Sequence, residues 1–194
     1  VSAHDPATGK ERWRADVLNP KRDQNFRIIA SPTIADGLII APTRNNPLVA
    51  IRPGGSGDVA SSHVAWTFAQ GPDVPTPVSD GKLLYVVRDN GVVFALDVKT
   101  GQRKWHFQLV HHPIWNMDIA AAPVLVDITA GGRPVKAVAV MGKQAMLYVF
   151  DRVTGEPVFP IEERRVAAGD VPGEWYSPTQ PFPTVPPPYD HQGV

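Results

Sequence analysis

Three stretches of this chain are copies of one another, and repetition constrains a fold more than any single motif does. "AHDPATGKERW" (3–13) and "ALDVKTGQRKW" (95–105) share Ala, Asp, Thr-Gly and Trp at the same five positions, and "VFDRVTGEPVF" (149–159) keeps the centre with Phe159 in place of the tryptophan. Between the first two, "AIRPGGSGDVASSHVAW" (50–66) has the opening Ala and closing Trp around a glycine-rich insertion. The period is about 45 residues, which is the size of a propeller blade.

The sequence between the copies agrees. "SPTIADGLIIAPTRNNPLVAI" and "TPVSDGKLLYVVRDNGVVFAL" each read as strand, Asp-Gly turn, strand, Asn-containing turn, strand, in runs too short and interrupted for helices. "APVLVDITAGGRPVKAVAVMGKQAMLYVF" (122–150) repeats the plan with a longer first turn. The fold expected is all-β, a partial β-propeller of about four four-stranded blades, in repeat units 1–49, 50–94, 95–148 and 149–194 of one domain. The shared motif has a mechanical role. The Gly takes a positive φ, the Asp side chain accepts from turn amides, and Trp13, Trp66 and Trp105 are flat groups suited to stacking on a neighbouring blade.

With 194 residues and 43% hydrophobic content the chain can bury a core. Its formal net charge is zero and no basic run stands out, which argues against nucleic acid or an anionic membrane as a partner. It has no cysteine, hence no disulfide framework and no thiolate chemistry. No apolar run approaches the roughly 20 residues that span a bilayer. Opening at "VSAHDPATGK" and closing at "YDHQGV", it reads as an internal piece of a longer protein. A partial ring has open blade edges, so self-association through them is expected.

The pattern A-x-D-x-x-T-G-x-x-x-W resembles the docking motif of the pyrroloquinoline quinone (PQQ) propeller repeat. From 104 to 194, "KWHFQLVHHPIWNMDIAAAPVLVDI", "GKQAMLYVFDRVTGEPVFPIEERRV" and "VPGEWYSPTQPFPTVPPPYDHQGV" resemble the PQQ-dependent glucose and alcohol dehydrogenases. Residues 1–103 are more similar to the cofactor-free PQQ-like propellers, a group that includes the outer-membrane assembly lipoprotein. The resemblance implies a ring of eight blades with PQQ and Ca²⁺ or a lanthanide on its axis. It also implies a periplasmic location, with any membrane association through a part outside this chain. The substrate would be a small-molecule alcohol or sugar, and a quinone or cytochrome would accept the electrons.

"VHHPIWNMD" (110–118) corresponds to the family's H-H-D-x-W-D-x-D, in which the carboxylate after the Trp is the general base. Here that position is Asn116, and the earlier Asp is Pro113. An amide cannot take a proton near neutral pH, although its oxygen could ligate a hard cation. In an extended segment Asn116 and Asp118 face one way, Trp115 and Met117 the other. Asp118 therefore either takes over as base or, with Asn116, holds the metal. Lys143 in "MGKQA" matches the family's cation at the reactive quinone carbonyl, where a fixed ammonium stabilises developing charge. Trp115 is carried beside it as a cofactor contact, although core or inter-blade packing is the commoner role of such a residue. Counting back seven from Arg52, Asp97 and Asp151 lands on Asn45, Asn90 and Gln144, so their neighbours Arg44, Asp89 and Lys143 share one turn position in successive units.

Other candidates have plainer readings. His111 and His112 are adjacent, so on a strand they would point to opposite faces, and a hydrogen-bonded structural role is expected rather than metal ligation. "EERR" (162–165) reads as a solvated connector, and "SPTQPFPTVPPPY" as an extended segment packed across the propeller. Upstream of "KWHFQ" the dehydrogenases carry a metal-contacting segment where this chain has an ordinary blade. Two functions follow: part of a quinoprotein dehydrogenase, or a non-catalytic propeller acting as a protein-binding scaffold.

Overall fold

The computed structural model describes residues 1–19, 21–43, 47–113 and 115–189. In chain order the elements are β1 (Ser2–His4), β2 (Glu11–Arg14), β3 (Thr33–Ala35), β4 (Leu38–Ala41), β5 (Leu48–Ile51), β6 (Gly57–Asp58), the short helix α1 (Ala60–His63) and β7 (Val64–Phe68). They continue with β8 (Val78–Ser79), β9 (Leu83–Val87), β10 (Val92–Asp97), β11 (Arg103–Gln108), β12 (Val124–Ala130), β13 (Arg133–Met141), β14 (Leu147–Asp151), β15 (Ile161–Arg165) and β16 (Thr179–Pro183). No helix among the described residues is long and apolar enough to cross a membrane.

The architecture is the expected all-β partial propeller. β3-β4-β5-β7 and β8-β9-β10-β11 are complete four-stranded antiparallel meanders, and β12-β13-β14 is a three-stranded one extended by a bridge from Phe150 to Pro157. β1 and β2 form a hairpin to which β6 adds in parallel, pairing Trp13 with Gly57 and Arg14 with Asp58. The sheets and the repeat units differ in phase. Residues 50, 95 and 149 fall inside β5, β10 and β14, because the Asp-Thr-Gly motif is the turn that follows a blade's third strand. A blade therefore begins well before its motif.

Three apolar cores lie between successive sheets. Trp13, Ile51 and Val59 share one, Leu48, Trp66, Leu84 and Phe94 the second, and Tyr85, Trp105, Val138 and Phe150 the third. Central strands β5, β9 and β10 face a core on both sides, so they are apolar without alternation.

The turn chemistry repeats with the sequence. Asp97 Oδ1 accepts from Lys99 N at 3.1 Å and Thr100 N at 3.0 Å, and Gly101 N donates to Asp97 O at 2.8 Å. Asp5 and Asp151 make the same three bonds. In the second unit the insertion is looped out but still closed, by Arg52 N donating to His63 O at 2.8 Å, and α1 occupies the loop.

Candidate functional site

"VHHPIWNMD" is not a strand. It belongs to the irregular connection between β11 and β12, with Ile114 outside the described residues. Pro113 removes one donor, and Met117 N donates to Trp115 O at 2.8 Å, which closes a turn no β-ladder would accommodate. The connection is pinned at both ends to the β9–β10 turn: Leu109 N donates to Gly91 O at 2.6 Å and Ile119 N to Asp89 O at 3.1 Å, with both side chains buried. The residues between are thereby held out over the end of the sheets.

Facing them is the β13–β14 turn. Gly142 N donates to Met146 O and Ala145 N to Gly142 O, each at 3.1 Å, and Ala145 adopts a left-handed φ of 61°. This turn projects Lys143, whose Nζ donates to Asn116 Oδ1 at 3.0 Å and Asp118 Oδ1 at 2.7 Å. Three of the four candidate site residues thus meet at one ammonium. Asn116 and Asp118 present oxygens to a common partner, but a loop arranges this and not the side-chain alternation expected of an extended segment. The partner turn positions have diverged: Asp89 Oδ1 accepts from Asp73 N at 3.3 Å, and Arg44 lies outside the described residues.

Beside this cluster is a cleft of about 510 Å³ whose lining includes Asp89, His111, Trp115, Asn116 and Asp118. Trp115 is 69% exposed, so it belongs to neither the core nor an inter-blade stack. Its indole offers the cleft a flat apolar surface.

The histidine pair is structural, as its residue types and spacing suggest. His111 N donates to Gln180 Oε1 at 2.9 Å while Gln180 Nε2 donates back to His111 O at 3.3 Å, and His111 Nε2 lies 2.8 Å from Glu163 Oε1. His112 packs its ring 4.3 Å from that of Trp175 and accepts at its carbonyl from Ser177 N at 2.8 Å. Residues 162–165 are exposed as expected, but they are no connector: they lie in β15, paired with β16 in the tail. The proline-rich tail packs across the sheet ends, with Pro181 O accepting from the Tyr148 hydroxyl at 2.9 Å and Tyr189 N donating to Ala145 O at 2.9 Å. Tyr148 is buried, which raises its pKa, and its oxygen also accepts from Gln144 Nε2 at 3.2 Å. Gln180, Glu163 and Tyr148 escape sequence reasoning because their partners lie far along the chain.

The residues fit the two family cofactors unequally. A planar quinone suits a cleft of this size with an exposed indole face, while the ammonium of Lys143 beside it is already paired with Asp118. A hard cation needs roughly six to eight oxygens. Asn116 and Asp118 offer one oxygen each to a position that Lys143 Nζ already occupies. No group of three or more His, Cys, Asp or Glu that could hold a metal occurs among the described residues.

Sheets stacked through tryptophan-capped Asp-Thr-Gly turns define a PQQ-type β-propeller. The family described as glucose/ethanol/alcohol dehydrogenase, beta-propeller domain, matches residues 88–194, and that described as outer membrane protein assembly factor BamB matches residues 1–107. The chain belongs to the PQQ-like propeller family of the quinoprotein dehydrogenases. It is 32% identical over 182 residues, 93% of its length and 21% of the relative's, to a quinate/shikimate dehydrogenase (quinone) of Acinetobacter baylyi. It is 41% identical over 90 residues, 46% of its length and 11% of the relative's, to the quinoprotein glucose dehydrogenase of Escherichia coli. The quinohemoprotein alcohol dehydrogenase structure from Comamonas testosteroni superposes with a TM-score of 0.67 at 19% identity, over 95% of this chain and 35% of that one, and so shares the fold. The chain spans about a fifth, or less, of the length of these curated relatives.

Proposed function

We propose that this chain forms part of the propeller of a PQQ-dependent dehydrogenase that oxidises an alcohol or a sugar hydroxyl. The observation that carries this reading is the convergence of Lys143, Asn116 and Asp118 at the edge of a cleft overhung by Trp115. Trp115 and Lys143 are the residues that would hold PQQ, which when bound supplies an acceptor for the substrate's hydride. Asp118 is then the carboxylate that takes the hydroxyl proton. Its Oδ1 is anchored on Lys143, so the ammonium fixes the carboxylate's orientation, while Asn116, an amide, helps only to position that ammonium. Electrons pass on to a quinone or a cytochrome, and the periplasm is the compartment in which this chemistry belongs.

A specific observation favours a second reading. Asn116 stands where the family has its base, and residues 76–94, which run through β8 and β9 into β10, supply an ordinary blade where the dehydrogenases carry metal contacts. A non-catalytic propeller binding another protein in the periplasm would look the same. The deciding experiment titrates PQQ, with and without Ca²⁺, into the full-length protein containing this segment, following cofactor absorbance and dye-linked oxidation of ethanol, glycerol, glucose and quinate. Saturable binding with turnover that Asp118→Ala lowers by about a hundredfold or more supports the dehydrogenase. Absence of PQQ binding leaves the scaffold.

A further inference from the structure

The ammonium of Lys143 occupies a particular point, 3.0 Å from Asn116 Oδ1 and 2.7 Å from Asp118 Oδ1. These are the oxygens with which this loop could meet a hard cation. Both sides of the contact are fixed by their own backbones. The lysine rides on a turn closed by two hydrogen bonds, and Asp118 directly precedes the buried, amide-anchored Ile119. Neither partner needs to reach far to maintain the contact.

We infer that Lys143 is the resident cation of this site. Its Nζ takes the position that a divalent or trivalent ion would require on Asn116 and Asp118, so that these two oxygens are served without a metal ion. A multivalent ion placed there meets a fixed positive charge a few ångströms away and must displace it from Asp118, the carboxylate it pairs with. The inference rests on the dehydrogenase reading only for PQQ as the ligand of the cleft; the competition between ammonium and metal stands apart from it.

Terbium is a suitable probe, because a tryptophan near a bound Tb³⁺ sensitises its emission and Trp115 adjoins Asn116. In the full-length protein, Lys143→Met should raise the affinity for Tb³⁺ by at least about tenfold. The gain should vanish in Lys143→Met/Asp118→Asn, and Lys143→Arg should behave as the parent. Circular dichroism of each variant checks that it is folded. An unchanged or weaker affinity in Lys143→Met overturns the inference. So does a parent protein whose own Tb³⁺ affinity falls on Asp118→Asn, since the ion would then already be using that carboxylate. PQQ titrated in excess chelator separates the two readings. PQQ that binds the parent only with added Ca²⁺ overturns the metal-free site and leaves the dehydrogenase standing. PQQ that binds under neither condition overturns the dehydrogenase, while the Tb³⁺ comparison still decides the role of Lys143.

Discussion

The indole of Trp105 lies so close over Gly155 that a Cβ on the glycine would come within 2.6 Å of the ring, and its Nε1 donates to Arg152 O at 3.2 Å. Trp66 has the same relation to Gly101, again 2.6 Å to a would-be Cβ, with Nε1 donating to Val98 O at 2.8 Å. Each tryptophan closes one blade and caps the Asp-Thr-Gly turn of the next. Both glycines also have positive φ, 70° and 80°. Gly101→Ala or Gly155→Ala in the full-length protein should therefore cost about 3 kcal/mol, roughly 1 from left-handed strain and 2 from the displaced ring. Gly37→Ala, at φ 73° but with open space around it, should cost about 1. Equal shifts in denaturation midpoint at the two kinds of site would show that the indole is not rigidly seated.

The same joint sets an acid limit on stability. Burial alone would raise the Asp80 carboxyl. The Leu83 and Lys82 amides, the Tyr85 hydroxyl and Arg152 outweigh it and hold the carboxyl below its ordinary range. Asp97 is likewise depressed, its burial outweighed by the Thr100 hydroxyl and amide and by Lys104. Depressed folded-state values add stability above the unfolded pKa of about 4, and that contribution is lost as pH falls through the folded values. Urea midpoints should be flat from neutrality to about pH 5 and fall below about pH 4. Asp80→Asn should start lower and fall less steeply. An unchanged slope in that variant would remove Asp80 from the account.

Much of this was legible from local sequence. The Asp5, Asp97 and Asp151 turns are specified within a few residues, so repetition in the text is repetition in space. The insertion after Arg52 was equally visible, since its Ala and Trp ends still matched. The connection after β11 misled, because alternating polarity in "HHPIWNMD" imitates a strand while Pro113 and the Trp115–Met117 turn break it. β15 was hidden for the opposite reason: its side chains are mostly exposed, and only pairing with the tail makes "EERR" a strand. Lys143 could be found by counting from the motif, but its partners lie 25 and 27 residues away and came into view only through family resemblance.

Gln180 holds the tail hairpin to the site loop. It is buried, and its amide exchanges two hydrogen bonds with the backbone of His111. Gln180→Ala would leave the His111 amide without this acceptor, at a cost of about 2 kcal/mol. The exposed His111–Glu163 contact should contribute less, so Glu163→Gln should cost under about 1 kcal/mol. Hydrogen exchange gives a local readout: the His111 amide and β15 should exchange faster in Gln180→Ala, with the β8–β11 sheet unaffected. Protection lost evenly across the protein would mean that the hairpin does not dock as a unit.

Lys143 and Asp118 should act as one device in turnover. If the ammonium orients the carboxylate, removing either group removes the same effect, and the losses will not add. Lys143→Ala and Asp118→Ala should each lower kcat by about a hundredfold to a thousandfold in the full-length protein, and the double variant should be little worse than the poorer single one. Asn116→Asp tests the geometry from the other side, by placing a second carboxylate within reach of the same ammonium. It should raise kcat, and it should restore part of the activity of Asp118→Ala if a carboxylate at either position can take the hydroxyl proton. Multiplicative losses from Lys143→Ala and Asp118→Ala would show that the 2.7 Å contact between them has no part in the chemistry.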